Sequence, residues 1–168
     1  MKFEELASNE QIRKEYQKTL LLNIFQKFCI RMNNNADFAL RMRKLYREAS
    51  DKTAPIIGII NREFKYSLST EEAALITKWF EAYLNKKKTR NKIPQSVKDS
   101  LIQKQKGMCV ICGEPLGNDM AKIHVDHIIP WKLVGDELND NYQALCETCN
   151  ECKSARTDYI FKALLNLN

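Results

Sequence analysis

Both histidines of the chain fall inside HVDHIIPW, residues 124–131, three positions apart and flanking Asp126. An imidazole, with a reference pKa of about 6.5, can take or give a proton at neutral pH. The stretch lies between two Cys-x-x-C pairs, Cys109/Cys112 and Cys146/Cys149. Four thiolates at that spacing suit tetrahedral Zn2+, and a zinc ion closed off by four protein ligands is structural rather than catalytic. The 33 residues between Cys112 and Cys146 then form a loop pinned at its base by the metal, and that loop carries both histidines. In so small a module the metal replaces part of a hydrophobic core, because its binding free energy becomes folding free energy.

Cys152 extends the second pair to C-x-x-C-x-x-C, part of the pattern of an iron–sulfur run. A cluster would leave one of five cysteines idle and give no role to Asp126 or His127. The zinc site is therefore the stronger reading, with Cys152 expected as a buried thiol on a helix. Cysteine pairs of this kind are ligands more often than disulfides in a reducing compartment.

The elements that must position these residues can be read from local pattern. KIHVDHI, 122–128, alternates and is rich in β-branched residues, which predicts a strand, and QALC, 143–146, predicts the second strand of a hairpin. Asn150 lies just beyond Cys149, near the start of a helix that completes a ββα unit. Before the first cysteine pair, a helix opens near Pro94, turns Val97, Leu101 and Ile102 inward and stops at Gly107.

MCVICGEPL at 108–116, HVDHIIPW, and NDNYQALCETCNECKS at 139–154 occur in that order. The combination resembles the HNH nuclease family in its Asp-His-Asn form with a cysteine-bound zinc, over about residues 93–157. The resemblance implies that Asp126 and Asn150 hold one catalytic metal. It also implies that Asn141, the middle asparagine of the motif, ties the hairpin loop and orients His127. An aspartate with an amide oxygen is a hard donor set, which points to Mg2+ or Mn2+ rather than Zn2+ or Ni2+ for catalysis. His127 is the expected general base for water attack on a phosphodiester. The implied products carry 5′-phosphate and 3′-hydroxyl ends. His124 shares a strand face with Asp126 and is expected mainly to pack. Lys153 and Arg156, at i+3 and i+6 from Asn150, could hold flanking phosphates or form a solvated helix end.

Residues 1–92 carry no such resemblance, and the first 88 read as helical. Leu20, Leu21, Ile24, Phe25, Phe28 and Cys29 make one apolar stripe. Phe38, Met42, Leu45 and Tyr46 make a second, with Arg41, Arg43, Lys44 and Arg47 on its flanks. Leu75, Ile76, Trp79, Phe80, Tyr83 and Leu84 make a third, behind a Ser69/Glu72 capping box. TAPIIGII, 53–60, fits either a short strand or a helix with Pro55 in its first turn.

NKKKTRNK, 85–92, breaks the apolar pattern with Lys86, Lys87, Lys88, Arg90 and Lys92, and reads as a linker whose cations could also contact phosphate. Residues 1–92 hold 19 Lys+Arg against 11 Asp+Glu, whereas residues 93–168 hold 8 against 10, so the formal charge of +6 is concentrated in the first part. DNA affinity is expected to come largely from there. The stretch LLLNIFQKFCI, 20–30, is interrupted by Asn23, Gln26 and Lys27, short of the roughly 18 apolar residues of a membrane span. The N-terminal MKFEEL is acidic and lacks the pattern of a signal peptide. The expectation is a soluble, cytoplasmic protein with no membrane partner.

The chain is thus read as α+β. A basic helical region, 1–88, serves DNA binding or dimerisation, and a zinc-pinned ββα-metal nuclease module, 89–168, follows it. Its expected partner is double-stranded DNA. A restriction-type enzyme that cuts both strands as a homodimer fits, as does a nicking enzyme of a phage or mobile element. The alternative is a zinc-stabilised binding or interaction module without catalysis.

Overall fold

The computed structural model describes residues 9–154, which form an α+β fold. Four helices come first: α1 (Glu10–Asn34), α2 (Ala36–Glu48), α3 (Thr53–Phe64) and α4 (Thr70–Asn85). Then follow α5 (Gln95–Lys104), β1 (Ile123–His127), the short α6 (Trp131–Val134), β2 (Tyr142–Cys146) and α7 (Glu147–Lys153). Among the described residues no helix is long and apolar enough to cross a membrane.

Local chemistry sets the helix boundaries. Asn35 caps α2, its side chain accepting from Phe38 N–H at 2.8 Å. The capping box of α4 is present, with Ser69 Oγ accepting from Glu72 N–H and Glu72 accepting from Ser69 N–H. Glu72 is itself buried and also takes hydrogen bonds from Gln17 Nε2 at 2.6 Å and the Tyr66 hydroxyl at 2.8 Å, so the cap doubles as a tie between α1 and α4. The ambiguous 53–60 stretch is helical: Asp51 accepts from Thr53 N–H at 2.9 Å at its start, and Ile56, Ile59 and Ile60 fall on one buried face.

Phe25, Phe28, Phe80, Met42, Ile56 and Ile76 fill the core between α1 and α4. The Phe28 and Phe80 rings meet edge to face at 5.2 Å. Two stripe positions depart from expectation, for Leu45 is 43% exposed and Leu75 is 36% exposed at the edges of their apolar faces. The flanking Arg41, Arg43, Lys44 and Arg47 are exposed.

The hairpin is antiparallel, with Asp126 opposite Gln143 and His127 opposite Tyr142. α7 packs against both strands, which gives the ββα unit. Gln105, just after α5, accepts from Ala144 N–H and donates to Ala144 C=O, both at 2.9 Å, so its amide satisfies the outer edge of β2. A small second core of Cys109, Leu116, Ile123, Ala144 and Leu145 lies beneath the cysteines. Ile129, Leu133, Val134 and Leu138, from the segment after β1, pack instead into the core of the helical region. Apolar packing therefore crosses the expected boundary near residue 88.

Candidate active site and zinc centre

The two Cys-x-x-C pairs converge. Cys109 and Cys112 sit on a turn closed by Gly113 N–H donating to Cys109 C=O at 2.9 Å, with Gly113 at φ 75°. Cys146 ends β2, and Cys149 lies in the first turn of α7. All four Sγ atoms lie within 4.8 Å of one another, and Cys112 and Cys146 are 3.9 Å apart. Tetrahedral zinc with Zn–S near 2.3 Å requires sulfur pairs about 3.8 Å apart, whereas a disulfide requires about 2 Å. The donor set and its spacing thus fit one Zn2+. At Cys109, burial raises the pKa, but backbone N–H groups of Cys112, Cys146 and Ile111 aimed at its sulfur outweigh this and bring it to about 7. Cys112 and Cys149 shift the other way, raised first by burial and then by the neighbouring sulfurs, so the four thiols resist ionising together until a cation lies between them.

Cys152 is a correction. It lies on α7 but is exposed, because the helix turns its Asn150 and Lys153 positions toward the hairpin and Cys152 away from it.

Asp126 and His127, consecutive on β1, point to opposite faces as strand geometry requires. The Asp126 carboxylate faces α7, where Lys153 Nζ lies 2.6 Å from Oδ2. Lys153 is 1% exposed, so neither a solvated helix end nor a free phosphate contact describes it. A shielded carboxylate needs a nearby cation, and that need draws the ammonium inward. Asn150 is half-buried one turn earlier on the same helix. His124 shares the Asp126 face and is half-buried, with no hydrogen-bond partner at its shielded Nε2. Arg156 lies outside the described residues.

His127 is 1% exposed, and its ring meets that of Tyr142 at a tilt of 54°, centroids 4.8 Å apart. Its Nε2 is 3.0 Å from Asp136 Oδ1 and its Nδ1 is 3.2 Å from an Arg90 guanidinium nitrogen. Burial lowers its pKa below 6.5; the hydrogen bond to Asp136 opposes this shift and the Arg90 charge adds to it. Burial acts to raise the pKa of Asp136, but hydrogen bonds from Asn91 N–H, the Trp131 indole and His127 overcome it and hold the group below its ordinary value.

Asn141 is buried and closes the loop between the strands. Its Oδ1 accepts from Ile129 N–H at 2.7 Å, its Nδ2 donates to Ile129 C=O at 2.9 Å, and its own carbonyl accepts from Ile128 N–H at 2.9 Å. The clamp grips the backbone one and two residues past His127, at Ile128 and Ile129, and makes no hydrogen bond to the ring itself.

The basic linker is not a free arm. Asn91 N–H donates to Asp136 Oδ2 at 2.8 Å, and Lys86 Nζ donates to Lys132 C=O at 2.7 Å. A Cβ on Gly135 would come within 2.9 Å of Lys86 Cβ, so glycine there lets the linker lie flat on the loop. Lys86 also rests over the Tyr83 ring at 4.4 Å, and burial lowers its pKa. It is a packing residue in this structure, whereas Lys87, Lys88 and Lys92 are exposed.

Asp136 is the site residue that the sequence did not reveal. In the sequence it is one acid among three in GDELND, and only the fold sets it apart.

Residues 109–156 match the family model described as HNH endonuclease. No curated protein matches the chain.

Proposed function

We propose that the protein is a metal-dependent endonuclease that hydrolyses DNA phosphodiester bonds, with His127 as general base. The observation that carries this reading is the pairing of Asp126 and His127 at the end of β1. One is paired with the buried Lys153 ammonium on the helix that carries Asn150, and the other is a buried ring gripped at both nitrogens. A strand that only supported a zinc knuckle would need neither. The HNH endonuclease match spans both residues.

Asp126 and Asn150 would hold one Mg2+ or Mn2+, which when bound stabilises charge on the phosphate and on the departing 3′ oxygen. An ion there would share the Asp126 carboxylate with Lys153, whose ammonium already lies against Oδ2. Two hard oxygen donors leave positions for water and phosphate. Plasmid cleavage should therefore be fastest with Mg2+ or Mn2+. Faster cleavage with Zn2+ or Ni2+ than with either would show that the ligands are wrongly assigned.

His127 accepts the proton of the attacking water, and burial keeps its ring neutral and able to do so. Arg90, exposed and 3.2 Å from that ring, is the linker cation best situated to take the scissile phosphate. Lys87, Lys88 and Lys92 would meet flanking phosphates. Removing residues 1–88 would test the basic half poorly, since Ile129, Leu133, Val134 and Leu138 would lose the core they occupy. Neutralising the three exposed lysines to glutamine is cleaner. Each one that meets a phosphate should reduce the slope of log affinity against log salt by about 0.9. An unchanged slope would remove the linker from the binding surface.

A second reading, a zinc-stabilised binding module without catalysis, is favoured by one observation: Asp126 is already ion-paired with Lys153, and both His127 nitrogens are engaged, by Asp136 and Arg90. Cleavage of supercoiled plasmid by the purified chain with Mg2+, Mn2+ or EDTA separates the two. Fragments or nicks that disappear with EDTA support the endonuclease, and discrete fragments would add a restriction-type specificity. Metal-independent binding by a zinc-loaded protein that never cuts supports the module.

A further inference from the structure

We infer that Asp136 is a positioning residue that holds His127 as its Nε2–H tautomer, leaving Nδ1, the nitrogen covered by Arg90, as the one that accepts the proton from water. The inference rests on the reading of His127 as general base.

The assignment follows from what the neighbours can and cannot donate. Asp136 is 8% exposed at its side chain and receives four hydrogen bonds. Oδ1 takes His127 Nε2 at 3.0 Å and the Tyr142 hydroxyl at 3.2 Å. Oδ2 takes Asn91 N–H at 2.8 Å and Trp131 Nε1 at 3.1 Å. The backbone N–H and the indole are obligate donors, and an ionised carboxylate can only accept. His127 Nε2 must therefore carry a hydrogen toward Asp136. A guanidinium has donors and no acceptor, so the nitrogen 3.2 Å from Arg90 must present its lone pair. Both contacts select the same tautomer.

The site then has a direction. Nδ1 takes a proton from a water whose oxygen forms the new bond to phosphorus; the bond from phosphorus to the 3′ oxygen breaks, and that oxygen takes a proton from solvent. Arg90 lies across the lone pair, so a DNA phosphate that attracts the guanidinium also uncovers the base. His127 is thereby exposed to water when substrate is present.

Asp136→Asn reverses the arrangement by simple accounting. Asn91 N–H and Trp131 Nε1 still require an acceptor, so the amide oxygen must take the Oδ2 position. The amide NH2 then faces His127 Nε2, which must become an acceptor; the hydrogen moves to Nδ1, and the exposed Arg90 guanidinium, itself a donor, must turn away from that nitrogen. The shape of the side chain hardly changes, yet the reactive lone pair is lost.

The test uses the zinc-loaded full chain with 15N-labelled histidine. Long-range 1H–15N correlation reads which ring nitrogen is protonated, and the His127→Gln spectrum assigns the two histidines. The wild type is expected to show Nε2–H at His127. Asp136→Asn is expected to show Nδ1–H, with kcat reduced on the order of 10²–10⁴-fold while zinc content and DNA affinity are kept. A merely structural role for Asp136 would lower stability without moving the proton. An Nδ1–H wild type overturns the inference even if Asp136→Asn fails to fold, and so does an Asp136→Asn variant that cuts at the wild-type rate. A wild type with the Nε2–H tautomer that cuts no nucleic acid instead overturns the endonuclease reading, and with it the role given to Asp136, while the hydrogen-bond assignment itself survives.

Discussion

His127→Ala should reduce plasmid cleavage by on the order of 10²–10⁴-fold, the range a positioned general base contributes, and so abolish it in practice. The ring is buried between Asp136, Arg90 and Tyr142, so its removal also has a structural cost. Asp136 Oδ1 would keep only the Tyr142 hydroxyl, and a lost buried partner costs about 1–3 kcal/mol. The rate must therefore be compared at a temperature where both proteins are folded and zinc-loaded. His124→Ala supplies the contrast. Its Nε2 has no hydrogen-bond partner, and removing it should weaken cleavage by far less. Equal losses in the two variants would return His124 to the active site, and cleavage by a folded His127→Ala protein would remove His127 as the base.

Much of this site was legible because it is built from local spacing. Two Cys-x-x-C pairs announce a tetrahedral sulfur site wherever a hairpin can bring them together, and the alternation in KIHVDHI and QALC predicts that hairpin. The strand found, Ile123–His127, lies inside the predicted range. The Ser69/Glu72 cap was equally local. What failed to show were residues whose roles depend on tertiary approach. Lys153 reads as a phosphate contact or a solvated helix end, yet the hairpin beneath α7 gives it the half-buried Asp126 carboxylate as partner. Lys86 reads as a free cation in a charged run, yet it lies against Gly135 and Tyr83. Cys152 differs again: it is on the expected helix, but its phase could not be read until the packed face was known. Asp136 depends on three separate segments, contributing Asn91, Trp131 and Tyr142, that meet only in the fold.

The apolar pattern had a comparable gap. Ile129, Leu133, Val134 and Leu138 read as part of the nuclease loop, but they complete the core of the helical region. This packing, and Asn91 bonded to Asp136, links the basic first part of the chain to the segment carrying His127. The end of the basic linker is thereby tied to the loop that follows His127 by packing and a hydrogen bond.

Zinc removal is expected to have the largest structural effect. Structural zinc contributes roughly 10–16 kcal/mol in small modules, comparable with or larger than the roughly 5–15 kcal/mol stability of a whole domain. The apolar cluster beneath the cysteines is too small to compensate, having only Leu116, Ile123, Ala144 and Leu145 beside Cys109. Cys146→Ser, at the junction of β2 and α7, or exhaustive chelation should therefore release the hairpin. Hydrogen exchange should report loss of protection at Ile123–His127 and Tyr142–Cys146, with α1 and α4 still protected by their aromatic core. Cleavage should vanish in the same step, and Mg2+ alone should not restore it. Brief EDTA treatment followed by excess Mg2+ should restore activity as long as the zinc remains bound, which distinguishes the two metals by the order of addition. A zinc-free protein that kept hairpin protection and Mg2+-dependent cleavage would show that the four cysteines are not what holds β1 in place.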